Sequence, residues 1–142
     1  MGAVYDLVKG NDVLTVAGDK SVSEAARIMS EHNIGAVPVL VDGEVAGVFS
    51  ERDIMNRVVA TGLDPRKTRV SEVMSTEVWA VGPGESLESC MVLMKMHGVR
   101  HLPIIERNRL IGVVSLRDIL LHEVTEMDGE VRAMRAYIQS GT

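Results

Sequence analysis

Residues 47–54 read Gly-Val-Phe-Ser-Glu-Arg-Asp-Ile, and residues 112–119 read Gly-Val-Val-Ser-Leu-Arg-Asp-Ile. Each stretch lies where an apolar, β-like run gives way to a helical pattern, so each predicts a strand-to-helix turn. Glycine, serine, arginine, aspartate and isoleucine recur at the same places in both stretches. The chain therefore contains two copies of one sequence unit, with the same polar turn in each copy.

The duplication extends well beyond the two turns. A shift of 65 residues without a gap places Ser21 on Ser86, Met29 on Met94 and Pro38 on Pro103. An ungapped match through β-like and helical segments alike indicates an internal repeat. Each unit reads β-α-β-β-α and is too small to bury its sheet alone. We predict an α/β (α+β) fold in which the two repeats pack sheet to sheet about a pseudo-twofold axis, with clefts between them.

Local signals set the limits of the elements. Ser21 and Glu24 have the spacing of a helix capping box, and Asp42-Gly43 is a strong signal for a two-residue hairpin. Val13 to Val16 is a short β-like run, and a helix carrying Ile54, Val58 and Val59 follows Ser50. The predicted organisation is an N-terminal helix over 1–12, repeats over 13–62 and 78–125, a linker over 63–77 and a C-terminal helical extension over 126–142.

The C-terminal helical pattern carries an apolar seam of heptad type. The helix can pack on its own domain, or the seam can join two copies of the chain; the sequence leaves both interpretations open. Gly129 weakens a helix by about 1 kcal/mol relative to alanine, so the pattern also allows a break there. The seam consists of Leu120, Val124, Met127, Val131, Met134 and Ile138.

Composition excludes several classes of protein. The chain has 142 residues and a net charge of −5 at pH 7, whereas general nucleic-acid binding needs a large positive field. A single cysteine, Cys90, cannot form an internal disulfide, which favours a cytoplasmic protein. No apolar run approaches the roughly 18 residues of a membrane-spanning helix, and no signal peptide is visible. We expect neither nucleic acid nor membrane as a partner.

The duplicated unit resembles a tandem cystathionine-β-synthase-type (CBS) domain pair, also called a Bateman module, over residues of about 5 to 125. The resemblance rests on the two turns, on the segments 33–38 and 98–103, and on the stretch 70–74. It implies a stand-alone, non-enzymatic sensor without a catalytic cofactor. Such pairs bind an adenosyl ligand (AMP, ADP, ATP, an NAD-type dinucleotide or S-adenosylmethionine) between the repeats, commonly dimerise, and regulate a partner that would here be a separate protein.

The serine and aspartate of each turn are the first candidate ligand residues: Ser50 and Asp53, and their counterparts Ser115 and Asp118. A strand-to-helix turn offers free backbone N–H groups and a positive dipole end, which favour a phosphate. A carboxylate can accept hydrogen bonds from both vicinal hydroxyls of a ribose. The alternative needs no ligand, because Ser-x-x-Asp is also a capping box.

Four basic side chains are candidates for phosphate contacts. Arg52 and Arg117 lie in the first helical turn, where a cation opposes the helix dipole, so each needs either a bound anion or a neighbouring carboxylate. Arg100 and His101 occupy positions that often reach phosphates in the resembled family, and arginine is a good phosphate fork. Their counterparts in the first repeat are Gly35 and Ala36, which leave room for an adenine edge. The two clefts are therefore predicted to differ.

The resemblance also implies an adenine pocket lined by the backbone of the first strand of each repeat, although a plain strand explains these residues equally well. Apolar walls would complete the pocket, since the only aromatic near a motif is Phe49. The strand candidates are Thr15, Val16 and Ala80, and the wall candidates are Ile34, Val37, Val99 and Leu102.

Nothing in the sequence indicates an enzyme. There is no catalytic triad order, no spacing of metal ligands, no P-loop and no dinucleotide fingerprint. Cys90 and the nine methionines are interpreted as packing residues. The alternative to a sensor is a constitutive dimeric scaffold or protein-interaction module whose clefts stay empty.

Overall fold

The computed structural model describes residues 3–140, and the side chains of all of these except 128, 130, 133 and 136–140. The α+β character and the β-α-β-β-α order of the repeats are confirmed. The elements are α1 (Val4–Val8), β1 (Val16–Ala17), α2 (Val22–Glu31), β2 (Ala36–Val41), β3 (Glu44–Ser50), α3 (Glu51–Asp53), a π-helical segment (Ile54–Val59), α4 (Val70–Val73), α5 (Leu87–His97), β4 (His101–Glu106), β5 (Arg109–Ser115) and α6 (Leu116–Ser140).

Each repeat is built on one antiparallel hairpin. In the first repeat β2 pairs with β3 and also, in parallel, with β1. In the second repeat β4 pairs with β5, and Val81 alone makes the parallel bridge that β1 makes in the first. The hairpin predicted at Asp42-Gly43 is present, with φ of 53° and 80° at its two turn residues. Positive φ at both positions is the two-residue turn whose twist matches the strands.

The short helices α1 and α4 each pack on one repeat: α1 on repeat 2 and α4 on repeat 1. Val4 donates its N–H to the Glu85 carbonyl at 2.7 Å, and Val70 donates its N–H to the Lys20 carbonyl at 2.9 Å. Glu85 and Lys20 are repeat counterparts, so α1 and α4 occupy equivalent places in the two repeats, and each packs on the repeat that it does not directly precede in the chain. The helix before repeat 1 packs into the core of repeat 2, and the linker helix α4 packs into the core of repeat 1.

The two sheets meet through β3 and β5. The space between them is only about 10 Å³, which holds no more than a water molecule. Its lining includes three pairs of repeat counterparts, as a pseudo-twofold axis through this point requires: Ala36 with His101, Pro38 with Pro103, and Val48 with Val113. The centre of the interface is therefore closed to any larger ligand.

Several local predictions differ from the structure. The run predicted as a strand from residue 13 forms a strand only at Val16–Ala17. The helix after Ser50 changes to π geometry at Ile54, where hydrogen bonds span i to i+5. Within this segment Val58 is buried, whereas Val59, which the sequence placed on the same helix, is 69% exposed. Not all methionines are packing residues: Met29 and Met94 are buried, but Met55, Met96, Met127 and Met134 are exposed.

The C-terminal helix α6 runs without a break from repeat 2 through Gly129. A cost of about 1 kcal/mol for one glycine does not outweigh the helical turns on both sides of it. The boundary predicted between 125 and 126 therefore falls inside one helix. The seam residues with described side chains are 44% to 65% exposed: Leu120, Val124, Met127, Val131 and Met134. Packing on the chain's own domain does not cover them, and the Ile138 side chain lies outside the described residues.

Within residues 3–140, no helix is both long enough and apolar enough to cross a membrane.

Candidate functional site

The first-repeat turn is a complete capping box. The Ser50 N–H donates to Asp53 Oδ2 at 2.9 Å, and the Asp53 N–H donates to Ser50 Oγ at 3.2 Å. The Ser50 hydroxyl also donates to Asp53 Oδ2, at 3.1 Å. The helix-capping interpretation of Ser-x-x-Asp is therefore realised, and it occupies one carboxylate oxygen of Asp53 fully.

Arg57 covers the other oxygen of this carboxylate. Its Nε lies 3.7 Å from Asp53 Oδ1, and its Nη1 donates to the carbonyls of Val73 and Met74 at 3.3 and 2.9 Å. The arginine thereby ties the turn to the C-terminal end of α4, and Asp53 is only 8% exposed. The sequence analysis missed Arg57, although its i,i+4 spacing from Asp53 was a usable signal.

The second-repeat turn has the same cap but different neighbours. The Ser115 N–H donates to Asp118 Oδ2 at 3.1 Å, and the Asp118 N–H donates to Ser115 Oγ at 3.0 Å. The counterpart of Arg57 is His122, whose Nε2 lies 3.1 Å from Glu126 Oε1 instead. Among the described residues, no cation contacts Asp118. This half-buried side chain lines an open groove of about 250 Å³ with Leu7, Leu121, His122 and Thr125.

The space predicted over Gly35 is taken by Glu51. A Cβ at Gly35 would lie 3.2 Å from Glu51 Oε1, because the Glu51 N–H donates to the Gly35 carbonyl and holds the side chain above it. An adenine edge at Gly35 would therefore have to displace the flexible end of the Glu51 side chain, and the room expected at Gly35 and Ala36 stays a prediction. In the second repeat the counterpart of Glu51 is Leu116, an uncharged side chain.

The strand β4 brings Arg100 and His101 to the second-repeat turn. The Arg100 carbonyl accepts the Leu116 N–H at 2.8 Å, and His101 pairs with Ser115 across the hairpin. Burial lowers the pKa of His101 below 6.5, although the carboxylates of Asp118 and Glu51 oppose this shift and Arg100 adds to it. The structure thus places the predicted Arg100–His101 pair next to Ser115 and Asp118, with the Arg100 side chain exposed.

Arg52 and Arg117 are exposed. Neither side chain makes a salt bridge among the residues that the structure describes, so the carboxylate partner considered for them is not present there. Both remain candidates for contact with a bound anion.

The remaining candidates divide by burial. The Val16 side chain is 3% exposed and belongs to the core of repeat 1, so only its backbone could line a pocket. Val37 and Leu102 are also core residues, at 1% and 0% exposure, and Leu102 cannot wall an open cleft. Half-buried positions suited to lining a cleft are Thr15, Ile34, Ala36 and Val99, and Ala80 is exposed.

An aromatic side chain does lie beside one of these positions. Trp79 precedes Ala80, and its ring stacks on His97 with centroids 3.5 Å apart and planes 8° from parallel. Phe49, the aromatic that the sequence analysis considered, is fully buried. The Trp79–His97 contact joins residues far apart in sequence at no regular spacing, so no local pattern indicates it.

Cys90 and the possible metal ligands concern chemistry other than the binding of an adenosyl ligand. Cys90 is fully buried, and burial, with a smaller contribution from Glu85, raises the pKa of its thiol to about 11. Its interpretation as a packing residue is confirmed. Across the described part of the chain, no three His, Cys, Asp or Glu side chains are grouped so that they could hold a metal ion.

Comparison with known proteins identifies the repeats. The sequence model of the CBS domain matches residues 4–60 and 70–124. The CBS domain-containing protein YhcV of Bacillus subtilis is 41% identical over 125 residues, which are 88% of this chain and 88% of that protein. The CBS-domain containing protein ATU1752 of Agrobacterium tumefaciens has a crystal structure that superposes with a TM-score of 0.79 at 36% identity, covering 85% of this chain and 98% of that one.

A more distant structure shows the same fold. The CBS domain pair of protein MJ0100 was solved in complex with 5′-methylthioadenosine and S-adenosyl-L-methionine; it superposes with a TM-score of 0.77 at 23% identity, covering 87% of this chain and 97% of that one. The family match spans both repeats and includes both Ser-x-x-Asp turns. The chain belongs to the CBS domain family, as a tandem CBS pair.

Proposed function

We propose that the protein is a non-enzymatic sensor that binds an adenosyl ligand between its two CBS repeats and regulates a separate protein. The observation that carries the proposal is the second-repeat turn, where the half-buried Asp118 carboxylate lines an open groove between α1 and α6. Among the described residues, this carboxylate accepts hydrogen bonds through one oxygen only. A carboxylate with a free oxygen can accept from ribose hydroxyls. The complex of MJ0100 with two adenosyl compounds supports this ligand class.

Charge at the second-repeat turn suits a ligand with phosphates. Arg100 is exposed and offers a guanidinium fork, and Arg117 lies in the first turn of α6. His101 pairs with Ser115 across the hairpin, but its side chain lines the closed space between the sheets, so Arg100 and Arg117 are the proposed phosphate contacts. The net charge of −5 does not oppose this, because a few local cations hold a phosphate through charge-assisted hydrogen bonds.

Thermal unfolding with AMP, ADP, ATP, NAD, NADH and S-adenosyl-L-methionine tests the proposal. A compound present at about 100 times its Kd stabilises the folded state by about 2.7 kcal/mol, which raises the Tm of a chain of this size by several degrees. At the same ligand concentration, the double variant Asp53→Asn/Asp118→Asn should show about half of this shift or less, because a tenfold weaker Kd leaves a stabilisation of about 1.4 kcal/mol. Each asparagine keeps one side-chain oxygen for the cap, but at position 53 the substitution also removes the charge that faces Arg57. The Tm shift of the double variant is therefore measured from its own ligand-free Tm.

Asp42→Asn is the matched control, since it removes a carboxylate at an exposed hairpin tip and should leave the shift unchanged. A full shift in the double variant would show that the aspartates do not hold the ligand. The absence of a shift with every compound, on a folded protein, would reject the sensor.

The exposed apolar face of α6 favours a second candidate, a constitutive homodimeric scaffold. Its seam is 44% to 65% exposed at the described positions, and buried apolar area is the main driving force of association. A scaffold dimerises through α6 with or without nucleotide, and its partner binding is insensitive to the aspartate variants. A sensor can use the same dimer, so dimerisation alone does not distinguish the two candidates, whereas the Tm shift does.

A further inference from the structure

The two Ser-x-x-Asp turns are identical in sequence pattern but differ in what surrounds the carboxylate. We infer that one adenosyl ligand binds per chain, at the Asp118 turn, and that Arg57 keeps the Asp53 turn closed. This inference rests on the proposed function and adds to it the choice of site and a residue that sets the stoichiometry.

At the first turn Asp53 accepts hydrogen bonds through one oxygen and forms an ion pair with Arg57 through the other. Oδ2 accepts from the Ser50 N–H and hydroxyl at 2.9 and 3.1 Å. Oδ1 faces Arg57 Nε at 3.7 Å. A ribose hydroxyl would have to displace the arginine, whose Nη1 is also anchored on the Val73 and Met74 carbonyls. Displacement would leave those bonds unmade, and a lost hydrogen bond to a charged group is costly.

At the second turn no described residue bonds the second oxygen of Asp118. Oδ2 accepts from the Ser115 N–H at 3.1 Å. The residue one turn further, His122, contacts Glu126 at 3.1 Å and not the aspartate. Asp118 lines the open groove of about 250 Å³, whereas the Asp53 side chain is 11% exposed. The single replacement of arginine by histidine at counterpart positions therefore separates an occupied carboxylate from an accessible one.

The charged residues near the two turns also favour ligand binding at the second turn. Arg100 and His101 adjoin the second turn, and their counterparts at the first turn are Gly35 and Ala36. The Glu51 carboxylate lies over Gly35, where it would repel a phosphate. Ribose and phosphate contacts thus favour the same one of the two turns.

Isothermal titration calorimetry of the full chain with AMP, ATP, NAD and S-adenosyl-L-methionine measures the stoichiometry. We expect one binding event per chain with at least one of these compounds. Asp118→Asn should weaken that binding at least about tenfold, the cost of a hydrogen bond to a charged group. Asp53→Asn, the matched variant at the other turn, should leave the Kd unchanged.

Exchange of the two side chains tests the role of Arg57. Arg57→His frees Asp53 and should add a second, weaker binding event. His122→Arg places a guanidinium one turn from Asp118 and should weaken the wild-type event by at least about tenfold. Arg57 also anchors α4, so the ligand-free Tm of Arg57→His is measured first. If this variant is unfolded, His122→Arg and the two asparagine variants decide the question.

The outcomes separate this inference from the proposed function. Two binding events in the wild type, or loss of binding in Asp53→Asn with full binding in Asp118→Asn, would overturn the inference and leave the sensor intact. Unchanged affinity in His122→Arg would overturn the role assigned to the residue one turn after the aspartate. No binding of any of the four compounds would overturn the proposed function, and the inference with it.

Discussion

At the scale of single residues, His101 is the titratable side chain at the join between the repeats. It lines the closed space on the pseudo-twofold axis with Pro38 and Pro103. Burial favours its neutral form and lowers its pKa below 6.5, against the attraction of Asp118 and Glu51 and with the repulsion of Arg100. Protonation of His101 therefore costs folding free energy, since it puts a charge into this partly buried position.

The pH dependence of stability follows from this direction. Below pH 6.5 the unfolded chain protonates His101 before the folded chain does, so the unfolded state binds more protons and stability falls as pH falls. The loss stops once pH is below the folded pKa, and above 6.5 His101 contributes nothing. Urea unfolding of the wild type and of His101→Gln from about pH 8 to about pH 5 should show a smaller loss in the variant.

Other carboxylates also change stability with pH, so only the difference between the two proteins is informative. Equal losses in both would mean that His101 titrates alike in the folded and unfolded chain. A larger loss in the variant would mean that the attraction of Asp118 and Glu51 exceeds the effect of burial.

At the same scale, the sequence identifies the cap but not its surroundings. Ser50 and Asp53 are close in the chain, so their hydrogen bonds follow from spacing alone. Arg57 reaches across to the carbonyls of Val73 and Met74, and this contact depends on where α4 docks. Local sequence patterns carry no information on how α4 packs. The difference between the surroundings of Asp53 and those of Asp118 could therefore not be predicted from the sequence.

At the scale of elements, the exchange of α1 and α4 ties the two repeats together. Val4 is fully buried in the core of repeat 2, and Val70 is fully buried in the core of repeat 1. Repeat 2 thus depends on a helix that precedes repeat 1 in the chain, and repeat 1 depends on a helix of the linker that follows it. We expect substitution of a buried residue in α1 to destabilise repeat 2, although α1 precedes repeat 1 in the chain.

Val4→Ala tests this dependence. The loss of two buried methyl groups costs about 2 kcal/mol, from transfer and from the cavity left behind. Hydrogen exchange should become faster in β4 and β5 and stay nearly unchanged in β2 and β3. Val70→Ala is the matched variant and should give the reverse pattern. Faster exchange in β2 and β3 for Val4→Ala would contradict the exchange of helices.

The sequence predicts correctly the elements that have strong local signals, and it does not predict those whose limits depend on contacts between distant residues. The Asp42-Gly43 hairpin and the Ser21 cap of α2 are present as expected. The short length of β1 and the π geometry after Asp53 depend on pairing and packing, for which no periodicity exists. Gly129 was a weak signal on a long helix, and α6 continues through it.

At the scale of the whole molecule, the described part of the seam on α6 is an apolar face that the chain leaves uncovered. Leu120 and Val124 begin it beside repeat 2, and Val131 and Met134 continue it along the helix. The repeat cores are closed without these side chains. A heptad seam on a helix is matched best by a second copy of the same helix, so we expect the chain to be a homodimer.

The double variant Val131→Glu/Met134→Glu should convert this dimer to a monomer. Burial of each side chain stabilises an interface by about 1.5 to 3 kcal/mol, and both chains lose two, so dimer affinity should fall at least about a hundredfold. Sedimentation equilibrium measures it, with Arg132→Glu as a control that adds an acid at an exposed position. A wild type that is monomeric, or a double variant that remains dimeric, would exclude the seam as the interface.

Because α6 begins directly after Ser115 and carries Asp118 in its first turn, a dimer through this helix would link the ligand turn of one chain to that of its partner. The Kd for AMP or S-adenosyl-L-methionine should then differ between the dimeric wild type and the monomeric variant, which a scaffold with empty clefts cannot show.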